Sequence, residues 1–154
     1  MVAARQGHES IVATLLRNRA DINARNAVGE TALLIATFVG HRSLVGFLVS
    51  KGADLSLTDN KGRSVLMIAT IRGHESIISL LVTRRVDLNI QDDSGWTALH
   101  WAYRVGRGGV VKMLLSAGAD TEITDNEGYI PMDRTARYDR AVSPRTATEE
   151  NEYS

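Results

Sequence analysis

Apolar residues fall along this chain in short groups that repeat every 33 residues. Ile11, Leu44, Ile77 and Val110 align at that period. Val12, Val45, Ile78 and Val111 follow them, and then Leu15, Leu48, Leu81 and Leu114. Within each group the three- and four-residue spacings gather the side chains on one face of a helix. An earlier apolar column, Leu33, Leu66, Leu99 and Met132, goes with a column of small residues, Ala3, Ala36, Ala69 and Ala102. This predicts a second helix in each period, with alanine on the side where a neighbour packs closely.

Polar and glycine positions punctuate these helices at the same period. Gly29, Gly62, Gly95 and Gly128 form one ladder, and Gly7, Gly40, Gly73 and Gly106 form another. Asn26, Asp59, Asp92 and Asp125 stand three residues before the first ladder, and Thr31, Ser64 and Thr97 two residues after it. An Asp or Asn bonding its local backbone, followed by glycine at positive φ, is turn chemistry. The Thr or Ser then opens a helix as its cap. The second glycine ends that helix in a left-handed conformation. A second helix follows, and Asp21, Asp54, Asp87 and Asp120 close the unit. The predicted unit is therefore turn, helix, tight turn, helix. Neither helix buries its apolar face alone, so units must stack, and a repeated surface is expected to carry the function.

Composition narrows the setting. The 154 residues leave room for one domain or one short array. Basic and acidic residues balance at 18 each, so no global field draws the chain to nucleic acid or an anionic membrane. The absence of cysteine excludes a disulfide framework and thiolate zinc sites and fits a reducing compartment. The first residues lack the apolar core of a signal peptide, and no apolar run is long enough to span a bilayer. The expected location is cytoplasmic or nuclear.

These columns resemble the ankyrin repeat. The resemblance is carried by Asp92-Asp93-Ser94-Gly95-Trp96-Thr97-Ala98-Leu99-His100-Trp101-Ala102, then Val110-Val111, Leu114-Leu115 and Gly118-Ala119-Asp120. It implies an all-α solenoid of helix-turn-helix units, with short β-hairpin fingers projecting at right angles and a slightly curved stack. It covers residues 1–138, with complete units at 26–58, 59–91 and 92–124 and partial units at 1–25 and 125–138. Residues 139–154 read as a polar, disordered tail. The first unit has no finger of its own, so the chain reads as a fragment or as an array with a poorly capped amino end. That edge, near Val2, Ala3 and Ile11, offers a surface for weak self-association.

Some positions depart from the family pattern. Arg19 and Arg85 replace the glycine that ends the second helix, which costs about 1 kcal/mol if they are left-handed. Ala32, Val65 and Ala98 replace a proline that survives only at Pro131.

Catalytic and metal chemistry find little support. His8, His41 and His74 recur at the repeat period and stand roughly 10 Å apart if units pack at helix spacing, too far to share a metal. His100 occupies the family position where imidazole bonds backbone and cap hydroxyl. Gly106-Arg107-Gly108-Gly109 lacks the spacing of a phosphate loop, and no nucleophile elbow occurs. The expectation is a non-catalytic chain with no cofactor and no metal.

The resemblance also implies where a protein partner binds: finger tips and the exposed side of the first helix of each unit, lining a concave groove. The matching positions are Glu30, Arg63, Trp96 and Tyr129 after the first ladder, and Phe38, Ile71, Arg72 and Arg104 before the second. Lys61 and Asp93 lie at the finger tips. Tryptophan, tyrosine and arginine carry interface energy more often than other residues. Arg63, Arg72 and Arg104 beside aromatics favour an acidic or aromatic-containing partner segment. Trp101, in a column with Ile35 and Ile68, is expected in the core. The alternative reading is a regulatory or targeting segment of a larger enzyme, channel or signalling protein. The resemblance further suggests Asn23 and Asn89 as hydroxylation acceptors, beside the plainer role of bonding finger backbone.

Overall fold

A computed structural model describes residues 1–133. The expectations for 134–138 and for the tail 139–154 lie outside the described residues. Among the described residues eight helices follow in pairs: α1 (Val2–Arg5) and α2 (Glu9–Arg17), α3 (Ala32–Val39) and α4 (Arg42–Ser50), α5 (Val65–Arg72) and α6 (Glu75–Thr83), α7 (Ala98–Arg104) and α8 (Gly108–Ser116).

The odd-numbered helices form one layer, each touching the next, and the even-numbered helices form the second. Their starts follow the local chemistry of the chain. Thr31, Ser64 and Thr97 accept from the amides of Leu34, Met67 and His100 and satisfy donors that the first turn leaves orphaned. At Gly40 (φ 95°) a left-handed residue ends α3 and turns the chain into α4.

The core fills the space between the layers. Leu33, Leu66 and Leu99 meet Leu44, Leu48, Ile77, Leu81, Val110 and Leu114, all buried. Full burial of each such side chain contributes roughly 1.5–3 kcal/mol. Ala36, Ala69 and Ala102 are buried where successive inner helices press together. The first unit differs: among the described residues it is packed against a neighbour on one side. Ile11 and Leu15 are 48% and 47% exposed, whereas Leu44 and Leu48 in the next unit are 1% and 0%. Beside them lies an apolar hollow of about 200 Å³, lined by Ala3, Val12, Leu15, Leu16 and Ile22.

Three local findings refine the expectations. Arg19 (φ 64°) and Arg85 (φ 55°) do take the left-handed conformation of the glycines they replace. The expected β-hairpin fingers are tight turns, and no strand occurs among the described residues. Each finger is closed on itself, as by the Asp59 amide on the Arg63 carbonyl at 3.1 Å. One backbone bond joins it to the next finger, as from the Asn60 amide to the Val28 carbonyl at 3.1 Å, too few contacts for a ladder. Finally, the column of Ile35 and Ile68 is buried, but Trp101 in the same column is only half-buried.

Candidate binding face

The fingers are built from the same turn with different side-chain closures. In the first, the Asn26 Oδ1 accepts from the amides of Val28 and Glu30, at 3.1 and 2.9 Å. Its Nδ2 donates to the Glu30 carboxylate at 2.9 Å. In the second, Asp59 Oδ1 accepts the equivalent amides of Lys61 and Arg63. Its other oxygen accepts from the Arg63 Nε at 2.7 Å within an ion pair. Burial pushes the Asp59 pKa up, but the Arg63 guanidinium and these amides outweigh it and hold the carboxyl below its ordinary value. In the third finger, Asp92 Oδ1 takes the amides of Ser94 and Trp96, and Oδ2 accepts the Trp101 indole N–H at 2.9 Å. A turn residue with an amide donor is thus answered by an acid, and one with a spare carboxylate oxygen by a cation or an indole.

This closure changes the reading of one column. Glu30, Arg63, Trp96 and Tyr129 were expected to stand exposed; all four are half-buried. Trp96 packs edge-on against Trp101, with ring centroids 4.7 Å apart, and stacks toward His100 at 6.3 Å. Its ring therefore lies against its own unit. The tip residues Lys61 and Asp93 are exposed, as are Phe38, Arg72 and Arg104, while Ile71 is half-buried. The Arg72 guanidinium lies 4.4 Å from the centre of the Phe38 ring, a cation–π contact between neighbouring units. The structure thus separates the candidate residues into a finger row engaged with its own turns and a more open floor on the inner helices.

The histidines hold units together. The His41 Nε2 donates to the Arg5 carbonyl at 3.0 Å, and the His74 Nε2 faces the Phe38 carbonyl at 3.4 Å, each reaching back one unit. Their rings cover the glycine of the preceding turn so closely that a Cβ at Gly40 would sit 2.6 Å from His74 Cε1. Where the third such ring would stand the chain has Arg107, and its guanidinium covers Gly73 in the same way. The sequence columns contain this substitution, and only the packing shows that a flat cationic group can replace the imidazole there. His100 is fully buried. Its Nδ1 accepts from the Thr97 amide at 3.1 Å and hydroxyl at 2.9 Å, which places the ring proton on Nε2, 3.1 Å from the Tyr129 carbonyl. Both nitrogens serve the helix cap and the next finger.

Asn23 and Asn89 accept from the Asp54 and Asp120 amides of the following unit at 2.9 and 3.0 Å, the finger-bonding geometry. Two groups escaped the sequence reading. The hydroxyls of Thr37 and Thr70, one unit apart and fully buried, have no hydrogen-bond partner among the described residues. Their column also holds Ala4 and Tyr103, so composition alone gave no signal.

Two layers of paired helices with linked finger turns define a stacked helical-repeat protein. The family profile described as ankyrin repeats (3 copies) matches residues 1–92 and, in a second placement, 36–125. The chain belongs to the ankyrin-repeat family. No curated protein is similar enough to match it. Ankyrin repeats are generally protein–protein interaction modules and typically non-catalytic. Among the described residues no helix is long and apolar enough to cross a membrane.

Proposed function

We propose that this chain recognises a protein partner through the face formed by its inner helices and finger tips, performs no catalysis of its own, and acts in the cytoplasm or nucleus. The observation that carries this reading is the floor of that face. Phe38 is 41% exposed in a row whose neighbours on the core side are buried, and Arg72 of the next unit lies over its ring. An exposed aromatic beside an arginine, on a scaffold that need not reorganise, is the composition of an interface centre.

A second reading, that the chain is a regulatory or targeting segment of a larger assembly, draws on a different observation. The columns of Ile11 and Leu15 are buried in every other unit and exposed in the first. Such a face suits another repeat-like helix pair.

Affinity capture from a lysate of the source organism tests the first reading, with partners identified by mass spectrometry. A Phe38→Ala, Arg72→Ala double variant should keep the helical signal and lose at least one partner about tenfold. Identical partner sets for the variant and the wild type overturn the assignment to this face.

A further inference from the structure

Between the first and second units, three groups of the later unit reach back to the earlier one. The His41 Nε2 donates to the Arg5 carbonyl at 3.0 Å while its ring covers Gly7. The Ser43 hydroxyl donates to the Glu9 carboxylate at 2.8 Å, and the Asp54 amide to the Asn23 Oδ1 at 2.9 Å. The same answers recur between the third and fourth helix pairs. There Gly73 lies under Arg107, Glu75 stands against Gly109, the counterpart of Ser43, and the Asn89 Oδ1 accepts from the Asp120 amide at 3.0 Å. A unit that covers the next one thus offers a bare glycine turn, an acid and an asparagine at one fixed spacing.

The first unit carries the backward-reaching half of this set on an open face. His8, Ser10 and Asp21 are the counterparts of His41, Ser43 and Asp54, and all three are exposed. The His8 ring, the Ser10 hydroxyl and the Asp21 amide make no hydrogen bond among the described residues. The apolar columns show the same contrast. Val2 is 71% exposed where its counterpart Ile35 is 3%, and Ile11, Leu15 and the apolar hollow lie open with it.

Resting on the second reading above, we infer that this face docks an ankyrin-type helix pair of another polypeptide. That partner sets a glycine under the His8 ring, a carboxylate on the Ser10 hydroxyl and an asparagine on the Asp21 amide, in the spacing of Gly7, Glu9 and Asn23. Its apolar face covers Val2, Ile11, Leu15 and the hollow. The apolar burial supplies affinity, and the three polar contacts fix the register. A second copy of this chain does not supply these answers. In its last complete unit the column of Glu9 holds Gly108 and that of Asn23 holds Glu122. Two first units set face to face offer His8 no glycine turn, because Gly7 is already covered by His41.

The test places photoreactive benzoyl-phenylalanine at Thr14 of the full chain, an exposed position one turn from Ile11 and beside Leu15. The chain is irradiated in a lysate of the source organism, and crosslinked peptides are sequenced by mass spectrometry. The expected product is a protein with ankyrin columns and the glycine, acid and asparagine at the stated spacing. Its yield should fall about tenfold with Ile11→Glu, Leu15→Glu and persist with Phe38→Ala, Arg72→Ala. Ile11→Ser with Leu15→Ser serves if the charged pair unfolds the chain, and melting curves compare every variant. A crosslinked partner kept by the Ile11, Leu15 variants overturns the assignment to this face. Crosslinks to a second copy, or to a protein without the repeat columns, overturn the inference and leave the larger-assembly reading standing. No crosslink at all overturns both.

Discussion

The first unit and the two that follow share the same apolar and glycine columns, yet the same column performs different work in each. Leu15 and Leu48 occupy equivalent positions on equivalent helices. Leu48 is sealed between two units, whereas Leu15 keeps almost half its surface exposed because only one side of its unit is covered. In a stack, stability belongs to the joints between units as much as to the units themselves. The residue type predicts which side chains are able to form a joint, and the number of neighbours decides what each contributes.

Truncating the paired leucines separates the two contributions most sharply. Leu48→Ala should cost about 2–5 kcal/mol, a cavity-forming change in a packed joint. Leu15→Ala should cost well under half of that, because water already reaches its side chain. Urea titration of both variants measures the difference, and equal losses would show that the first unit is as tightly packed as its neighbours. A smaller change of opposite sign should come from inside the array. Thr37→Val or Thr70→Val replaces an unpartnered buried hydroxyl by a methyl group of similar shape, as Ala4 already avoids the problem in the first unit. Each should stabilise by about 1 kcal/mol, visible as a raised midpoint. Destabilisation would mean that each hydroxyl has a partner in solution.

The fingers sharpen the comparison with the smallest effect. Because the Asp59 carboxyl is held below its ordinary value of 3.8, its contribution is full above that pH and is lost as pH falls through the lower folded-state value. An Asp59→Asn variant keeps the turn, as Asn26 shows, but should lose this acid-sensitive component. Melting midpoints followed from neutral pH down to about 2 should converge for the two proteins. Parallel curves would remove Asp59 as the source.

Most of the fold was legible because each structural demand recurs once per unit. A cap at Thr31, Ser64 and Thr97, a left-handed glycine and a small residue between inner helices each make a column that one position alone would not reveal. The binding face was less legible. Family position placed Glu30, Arg63 and Trp96 at the surface, but the spare donor or acceptor of the turn residue four positions earlier draws Glu30 and Arg63 inward, and Trp96 packs against Trp101 and His100. The pairing of Asn26 with Glu30 against Asp59 with Arg63 is a sequence signal for this, present as an exchange of polarity at fixed spacing. Trp101 escaped similarly: its column is apolar elsewhere, and the indole N–H needs the Asp92 oxygen that holds it at the boundary.

The backward reach of His41, His74 and Arg107 over the preceding glycine bears on how such a chain is inherited. At three successive joints among the described residues, the first helix of one unit ends in a niche at Gly7, Gly40 or Gly73, and the second helix of the next unit begins with the side chain that fills it. A gene segment encoding 33 residues can therefore be copied or excised in register without leaving either half of that lock unmatched, since whichever unit comes next brings its own key. A slip of one residue breaks the match at once. The structure thus tolerates change in length by whole words and resists it by single letters.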